Sequence, residues 1–259
     1  MKLPQKIRNF IGNNRLIVNK VGQSPSDVYC FERNRETFFL KVSSVQYATT
    51  TYSVAREAQM MLWLADKINV PELVFSEIDQ NFEYMLSKSI DAQPISDLSL
   101  AQSELIMLYQ DVLSQLRSVP VQNCPFNSDI NSRLQESQYF MEIGLLNQVD
   151  DEDVDIELWG EHQSYLELWT ELNNHRVKEN LVFTHGDITD SNIFVDQSNK
   201  IYFLALGRAG LADEFVDIAF VERCLREDGS EESAQKFLKQ LSFDDPSKRQ
   251  YFLKLDELN

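Results

Sequence analysis

Through the first ninety residues, apolar and polar positions alternate in short runs. Arg15–Val18, Val28–Phe31, Thr37–Val42 and Phe82–Leu86 read as strands, with a polar turn at Arg33–Arg35. Between them Val54, Ala58, Met61, Leu62, Ala65 and Ile68 recur at helical spacing until Pro71 closes the segment. This predicts a small antiparallel sheet with one helix. Beyond Asp91 the period lengthens. Leu105, Leu108, Val112, Leu113 and Leu116 mark one helical face and Tyr165, Leu168, Trp169 and Leu172 another. A hairpin interrupts the helices, with Ile193–Val195 and Ile201–Leu204 flanking the polar turn Asp196–Lys200. The pattern predicts an α+β chain: a strand-rich N-terminal lobe over residues 1–90 and a larger, mainly helical C-terminal lobe over residues 91–259.

Charge separates the same two parts. The 259 residues carry 24 Lys and Arg against 41 Asp and Glu, a net −17, of which residues 1–90 contribute +2 and residues 91–259 contribute −19. So acidic a second part repels phosphate backbones and anionic lipids, which argues against nucleic acid and membrane as partners and leaves cationic ligands open. The charged N-terminal segment is followed by no apolar signal-peptide core, and no apolar run reaches about 18 residues, so a cytoplasmic protein is expected. Cys30, Cys124 and Cys224 form no CxxC pair, and His162, His175 and His185 show no metal-ligand spacing. Residues 150–161 hold seven acids in twelve positions, a stretch that cations would have to offset to become ordered. Trp159, in that stretch, reads as packing inward.

Chemistry concentrates in an apolar strand running into His185-Gly186-Asp187, with Asn192 five residues after the aspartate. A carboxylate on a tight glycine turn can orient a hydroxyl and accept its proton. An amide oxygen five residues on can hold a divalent cation beside a transferring phosphate, the division of labour in kinase catalytic loops. Alone, the triplet fits a polar loop after a buried strand equally well. Lys41 on a strand and Glu57 on the following helix tilt the balance, because a kinase needs that ordered pair to hold nucleotide phosphates. The turn Gly22–Ser26 offers backbone amides and Ser24 to phosphates. A Walker GxxxxGK[ST] is absent, which excludes a P-loop enzyme, and the H-R-D and A-P-E segments of protein kinases are missing.

Over essentially its full length the chain resembles the aminoglycoside 3'-phosphotransferases, the kanamycin kinases, near their amikacin-active branch. The resemblance rests on Gly22–Tyr29, Phe38–Lys41, Thr50–Glu57, Thr184–Phe194, Leu206–Asp213, Val216–Ala219 and Leu255–Asn259. It implies a bilobal protein-kinase-like fold and transfer of the ATP γ-phosphate, with magnesium, to an aminoglycoside 3'-hydroxyl, conferring resistance. By the same resemblance Asp187 is the catalytic carboxylate, Asn192 a magnesium ligand, and Lys41 the phosphate-pairing lysine with Glu57 as its partner. Phe39 stacks on adenine, the Leu86–Ser89 hinge with Ser87 and Ser89 reads the adenine edge, and Ser24 lies near the β-phosphate. Substrate amines meet Asp155, Glu157, Glu161, Glu227, Asp256, Glu257 and the terminal carboxylate of Asn259, while Asp217 anchors the catalytic loop. A monomer is expected.

One departure stands out. Where the family has the second magnesium-binding aspartate, this chain has Ala205, and a methyl group cannot coordinate a metal. The resemblance therefore implies an impaired or inactive enzyme. Two other readings stay open: a kinase of another small hydroxylated amine, and a non-catalytic binder of nucleotide and aminoglycoside.

Overall fold

Two residues, Asn34 and Arg35, join strands β2 (Asp27–Arg33) and β3 (Glu36–Ser44). Both are left-handed, with φ of 54° and 67°, the tight hairpin turn whose twist matches that of the flanking strands. The structure is a computed structural model that describes residues 3–19, 24–146 and 156–259, the side chains of 156 and 157 excepted. Its internal contacts divide the chain into two units, Met1–Asp97 with Ser191–Arg208, and Leu98–Asp190 with Ala209–Asn259.

The first unit is built on an antiparallel sheet, order β1-β2-β3-β5-β4, with β1 at Ile17–Asn19, β4 at Leu73–Ile78 and β5 at Phe82–Lys88. Strand alternation sends Phe31, Phe38, Leu40, Val42, Tyr84 and Leu86 into one core, where they meet Ile7 and Ile11 of a short helix α1 (Gln5–Ile11). Phe10 of α1 stands edge-on to Phe31, Phe38 and Phe75. On β3 the alternate residues Phe39 and Lys41 share the other face with their cross-strand partners Cys30, Val28, Ser87 and Met85. Helix α2 (Val54–Leu64) starts at Ser53, whose hydroxyl accepts the Arg56 amide, and buries Val54, Glu57, Ala58, Met60, Met61 and Leu64.

The segment Ser191–Arg208 joins this unit through identifiable bonds. Strands β8 (Ile193–Val195) and β9 (Ile201–Phe203) form the expected hairpin, and β8 also pairs with β6 (Gln93–Pro94). Asn69 holds β9 from both sides, donating Nδ2 to the Ile201 carbonyl at 2.8 Å and accepting the Phe203 amide at 2.9 Å.

Among the described residues the second unit is helical apart from one antiparallel strand pair, β7 (Leu181–Thr184) with β10 (Gly210–Asp213). Gly210 is required there: a Cβ would stand 2.8 Å from the Phe126 carbonyl oxygen and 2.7 Å from Ser128 Oγ. Helix α3 (Gln102–Ser118) buries Leu105, Ile106, Tyr109, Val112, Leu113 and Leu116. Helices α4 (Ile130–Glu142), α5 (Ile156–Trp159), α6 (Tyr165–Asn174), α7 (Phe215–Cys224), α8 (Glu231–Leu238) and α9 (Pro246–Asp256) complete the unit, with α9 packed on α5, α6 and α7. Asp213, wholly buried, pairs with Lys248 of α9 at 2.6 Å and accepts the amides of Asn180 and Phe215. Among the described residues no helix is long and apolar enough to cross a membrane.

Candidate active site

In the first unit, Lys41 Nζ donates to Glu57 Oε2 at 2.7 Å; the lysine side chain stays 23% exposed and the glutamate 8%. The helix thus fixes an anion behind the ammonium and leaves the ammonium open to a further anion. Phe39 and Ser87 lie on the same sheet face, directly opposite one another. Ser89 is tied by its amide to the Thr37 carbonyl at 2.9 Å. Ser24 is half-buried, and the preceding residues 20–23, with most of the glycine turn, lie outside the described residues.

The residue before Glu57 reaches elsewhere. Arg56 donates Nε to the Gly207 carbonyl at 2.7 Å, and Gly207 lies so close to the Thr51 carbonyl that a Cβ would stand 2.3 Å from its oxygen. The loop after β9 is therefore held to the first turn of α2 at Arg56, and β9 itself is held by Asn69, beyond the end of that helix. The Leu204 amide donates to the Asn192 carbonyl at 3.0 Å, so Ala205 follows directly on a backbone bond to Asn192. Ala205 is left-handed, φ 55°, a conformation in which Asp and Asn are enriched and alanine is costly.

In the second unit, β7 delivers Thr184 into His185-Gly186-Asp187, with Gly186 at φ 75° making the turn. Asp217 of α7, fully buried, accepts the amides of His185 and Gly186 at 2.9 Å each. Burial pushes its carboxyl up from the ordinary range, against the pull of His185 and the two amides. The Asp187 amide donates to His185 Nδ1 at 3.2 Å. Asp187 itself is half-buried on this fixed loop. The Ile188 carbonyl accepts from Cys224 Sγ at 3.5 Å, and burial pushes that thiol up to about 12, which makes it inert.

Acidic residues of the second unit fall into two groups. Glu161 and Glu227 are exposed. Partial burial, then Asp190 and then Glu227, raise the Asp228 carboxyl above the ordinary range. Others are already engaged: Asp256 pairs with Arg223 at 3.1 Å and Arg133 at 3.9 Å, and Glu257 accepts Trp159 Nε1 at 2.9 Å. Asn259 donates its side-chain amide to Ser137 Oγ and to the Leu255 carbonyl. Trp159 is buried, edge-on to Tyr165, as read from the sequence. Asp155 and the Glu157 side chain, with most of the acidic stretch, lie outside the described residues.

Residues 16–252 match the phosphotransferase enzyme family, APH. An aminoglycoside 3'-phosphotransferase of Acinetobacter baumannii is 60% identical over 259 residues, the whole of both chains. The chain belongs to the aminoglycoside 3'-phosphotransferase family. The fold agrees. The crystal structure of an aminoglycoside-3'-phosphotransferase of type VIII superposes with a TM-score of 0.82 at 21% identity, covering 98% of this chain and 97% of the other. The aminoglycoside phosphotransferase APH(3'')-Id of Streptomyces rimosus, in complex with ADP and streptomycin, gives 0.75 at 19% identity, covering 97% and 95%. The bilobal kinase-like fold expected from the sequence is thereby shown, with α1 as a short addition to the N-terminal sheet.

The positions that the family resemblance makes magnesium ligands are Asn192 and Ala205, which together supply one neutral amide oxygen and a methyl group. Among the described residues no three His, Cys, Asp or Glu side chains converge as a metal site. That donor set does not fit a divalent cation that prefers anionic oxygen. Asp190 and Asp228 escaped the sequence reading although Asp190 lies inside the quoted loop motif and Asp228 adjoins Glu227. Only folding brings the two near enough to repel.

Proposed function

We propose that this chain transfers the γ-phosphate of ATP to the 3'-hydroxyl of kanamycin- and amikacin-type aminoglycosides, and that Ala205 makes it slow. The supporting observation is the full-length identity of 60% to an aminoglycoside 3'-phosphotransferase. Asp187 takes the proton from the 3'-hydroxyl as that oxygen attacks phosphorus, and the bond to the ADP oxygen breaks. Asp217 keeps Asp187 in place by holding the two preceding amides. Lys41, backed by Glu57, sets a positive charge on the nucleotide phosphates, Phe39 stacks on adenine, and Ser24, Ser87 and Ser89 complete the nucleotide contacts. Residues 1–90 serve nucleotide and residues 91–259 serve catalysis and the antibiotic, whose ammonium groups meet Asp155, Glu157, Glu161, Glu227, Glu257 and the Asp190–Asp228 cluster. Asp256 acts through Arg223, and Asn259 closes the same side.

Magnesium would supply charge neutralisation on the phosphates in the family; here Asn192 is the residue left to hold it. A cytoplasmic monomer without nucleic acid or membrane partners completes the reading. Ala205 also favours a second reading, a binder of nucleotide and aminoglycoside without turnover. Prolonged incubation with ATP and kanamycin, followed by phosphorus NMR, separates them: phosphate on the 3'-oxygen supports transfer, and bound but unmodified kanamycin supports the binder. Binding of choline in preference to kanamycin would overturn both.

A further inference from the structure

Glu83 is a carboxylate flanked by Phe82, Tyr84, Met85 and Leu86 in β5, 2% exposed, and among the described residues it forms no ion pair. Its partners are three donors. Glu83 Oε2 accepts from Ser53 Oγ at 2.6 Å, from Ser43 Oγ at 3.2 Å and from the Ala55 amide at 3.3 Å. All three belong to, or lie against, the start of α2.

A helix leaves its first amides without partners, and in α2 each of them is met. Val54 donates to Ser43 Oγ at 3.2 Å, Ala55 to Glu83, Arg56 to Ser53 Oγ at 3.0 Å, and Glu57 to the Ser53 carbonyl at 3.1 Å. A serine hydroxyl has a single proton. Both serines give theirs to Glu83, which turns their lone pairs toward the helix amides. The carboxylate therefore orients both capping hydroxyls as well as capping one amide itself, and its negative charge suits the helix N-terminus.

Ser43 is two residues beyond Lys41 on the same sheet face, and Ser43 lies directly opposite Glu83 in the β3–β5 register. A closed loop results: Lys41 to Ser43 along β3, Ser43 to Glu83, Glu83 to Ser53, Ser53 to Glu57 along the first turn of α2, and Glu57 back to Lys41. We propose that Glu83 is a positioning residue for the Lys41–Glu57 pair, fixing the first turn of α2 so that Glu57 stands at ion-pair distance from the lysine. This rests on the reading of that pair as the nucleotide-phosphate contact.

The test is a double-mutant cycle read by ATP affinity in the full chain, with kanamycin affinity as control. Glu83→Ala is expected to weaken ATP about tenfold alone and less than about twofold in a Glu57→Ala background, with kanamycin binding unchanged. Glu83→Gln, which keeps the acceptor oxygen, is expected to stay within about twofold of the unaltered chain. Equal losses with and without Glu57 would overturn the proposal, since a merely structural role does not act through that side chain. Should Glu57→Ala alone leave ATP affinity untouched, the nucleotide reading of the pair fails instead. Amide exchange then decides for Glu83: acceleration confined to residues 54–57 in Glu83→Ala supports it, and unchanged exchange overturns it. If Glu83→Ala does not fold, Ser53→Ala takes its place in the cycle with the same expected and contrary results.

Discussion

Ala205 combines two features that pull the same way. Its methyl cannot serve as the anionic ligand that the proposed function would place there, and its backbone, at φ 55°, keeps the conformation that an aspartate or asparagine tolerates better. The loop is held in that shape from outside, by Arg56 on the Gly207 carbonyl and by Asn69 on β9. Strain of this kind costs on the order of 1 kcal/mol. Ala205→Gly is therefore expected to raise stability by about 0.5–1 kcal/mol in urea unfolding; a destabilised variant would show that the loop is not strained. Asp217→Ala is expected to cost about 1–3 kcal/mol, because it strands two buried amides, and unaltered stability would contradict the anchoring role. Asp217 was readable from the resemblance as an anchor. Glu83 was not, because a lone glutamate in Phe82–Leu86 gives no sign of what it will face until α2 packs against β5.

Elements with strong periodicity were legible in the sequence, and weakly patterned ones were not. Strands β3 and β5 and the β8–β9 hairpin sit where their apolar spacing puts them, while α2 starts at Val54 as expected but stops at Leu64, short of Ile68 and Pro71, and leaves Leu62 exposed. Helix α1 spans seven residues, has no side-chain cap and buries only Ile7 and Ile11, so its order comes from Phe10 packing into the sheet. Strand β4 is an edge with a register irregularity between Leu73 and Phe75, and β10 is a Gly-Leu-Ala-Asp run that becomes a strand only by pairing with β7. One interelement contact makes a pH prediction. Glu179 accepts the Ile130 amide at the start of α4, and burial, then Asp129 and Asp213, push its carboxyl up to about 7. With the folded value above the unfolded 4.5, its contribution is fully present below that pH and is lost as pH rises through about 7. Glu179→Gln keeps an acceptor for Ile130 without the charge. Its Tm relative to the unaltered chain is expected to rise between pH 5 and pH 8, and a constant difference would contradict the assignment.

Across the whole molecule, the charge of −17 has acquired a location and a partial use. Residues 91–259 carry the excess, while residues 1–90, which include Lys41, are slightly positive. Some of the acids are spent inside the protein, on Lys248, Arg223 and Arg249. Asp190 and Glu227 disfavour the charge on Asp228, and the proposed function gives these acids an antibiotic ammonium as counter-charge. Kanamycin affinity is accordingly expected to fall steeply as salt rises from about 0.01 to 0.5 M, and a flat salt response would contradict an acidic antibiotic site. The proposed function requires that Lys41 serve nucleotide, that Asp187 serve catalysis, and that position 205 limit the rate. Phosphate transfer from ATP to kanamycin, measured side by side for the chain and for Ala205→Asp with a 3'-deoxy kanamycin analogue as control, tests it most directly. Ala205→Asp should transfer about 100- to 1,000-fold faster, with no transfer to the 3'-deoxy analogue. Equal rates in the two proteins, or phosphate on the 3'-deoxy analogue, would contradict it.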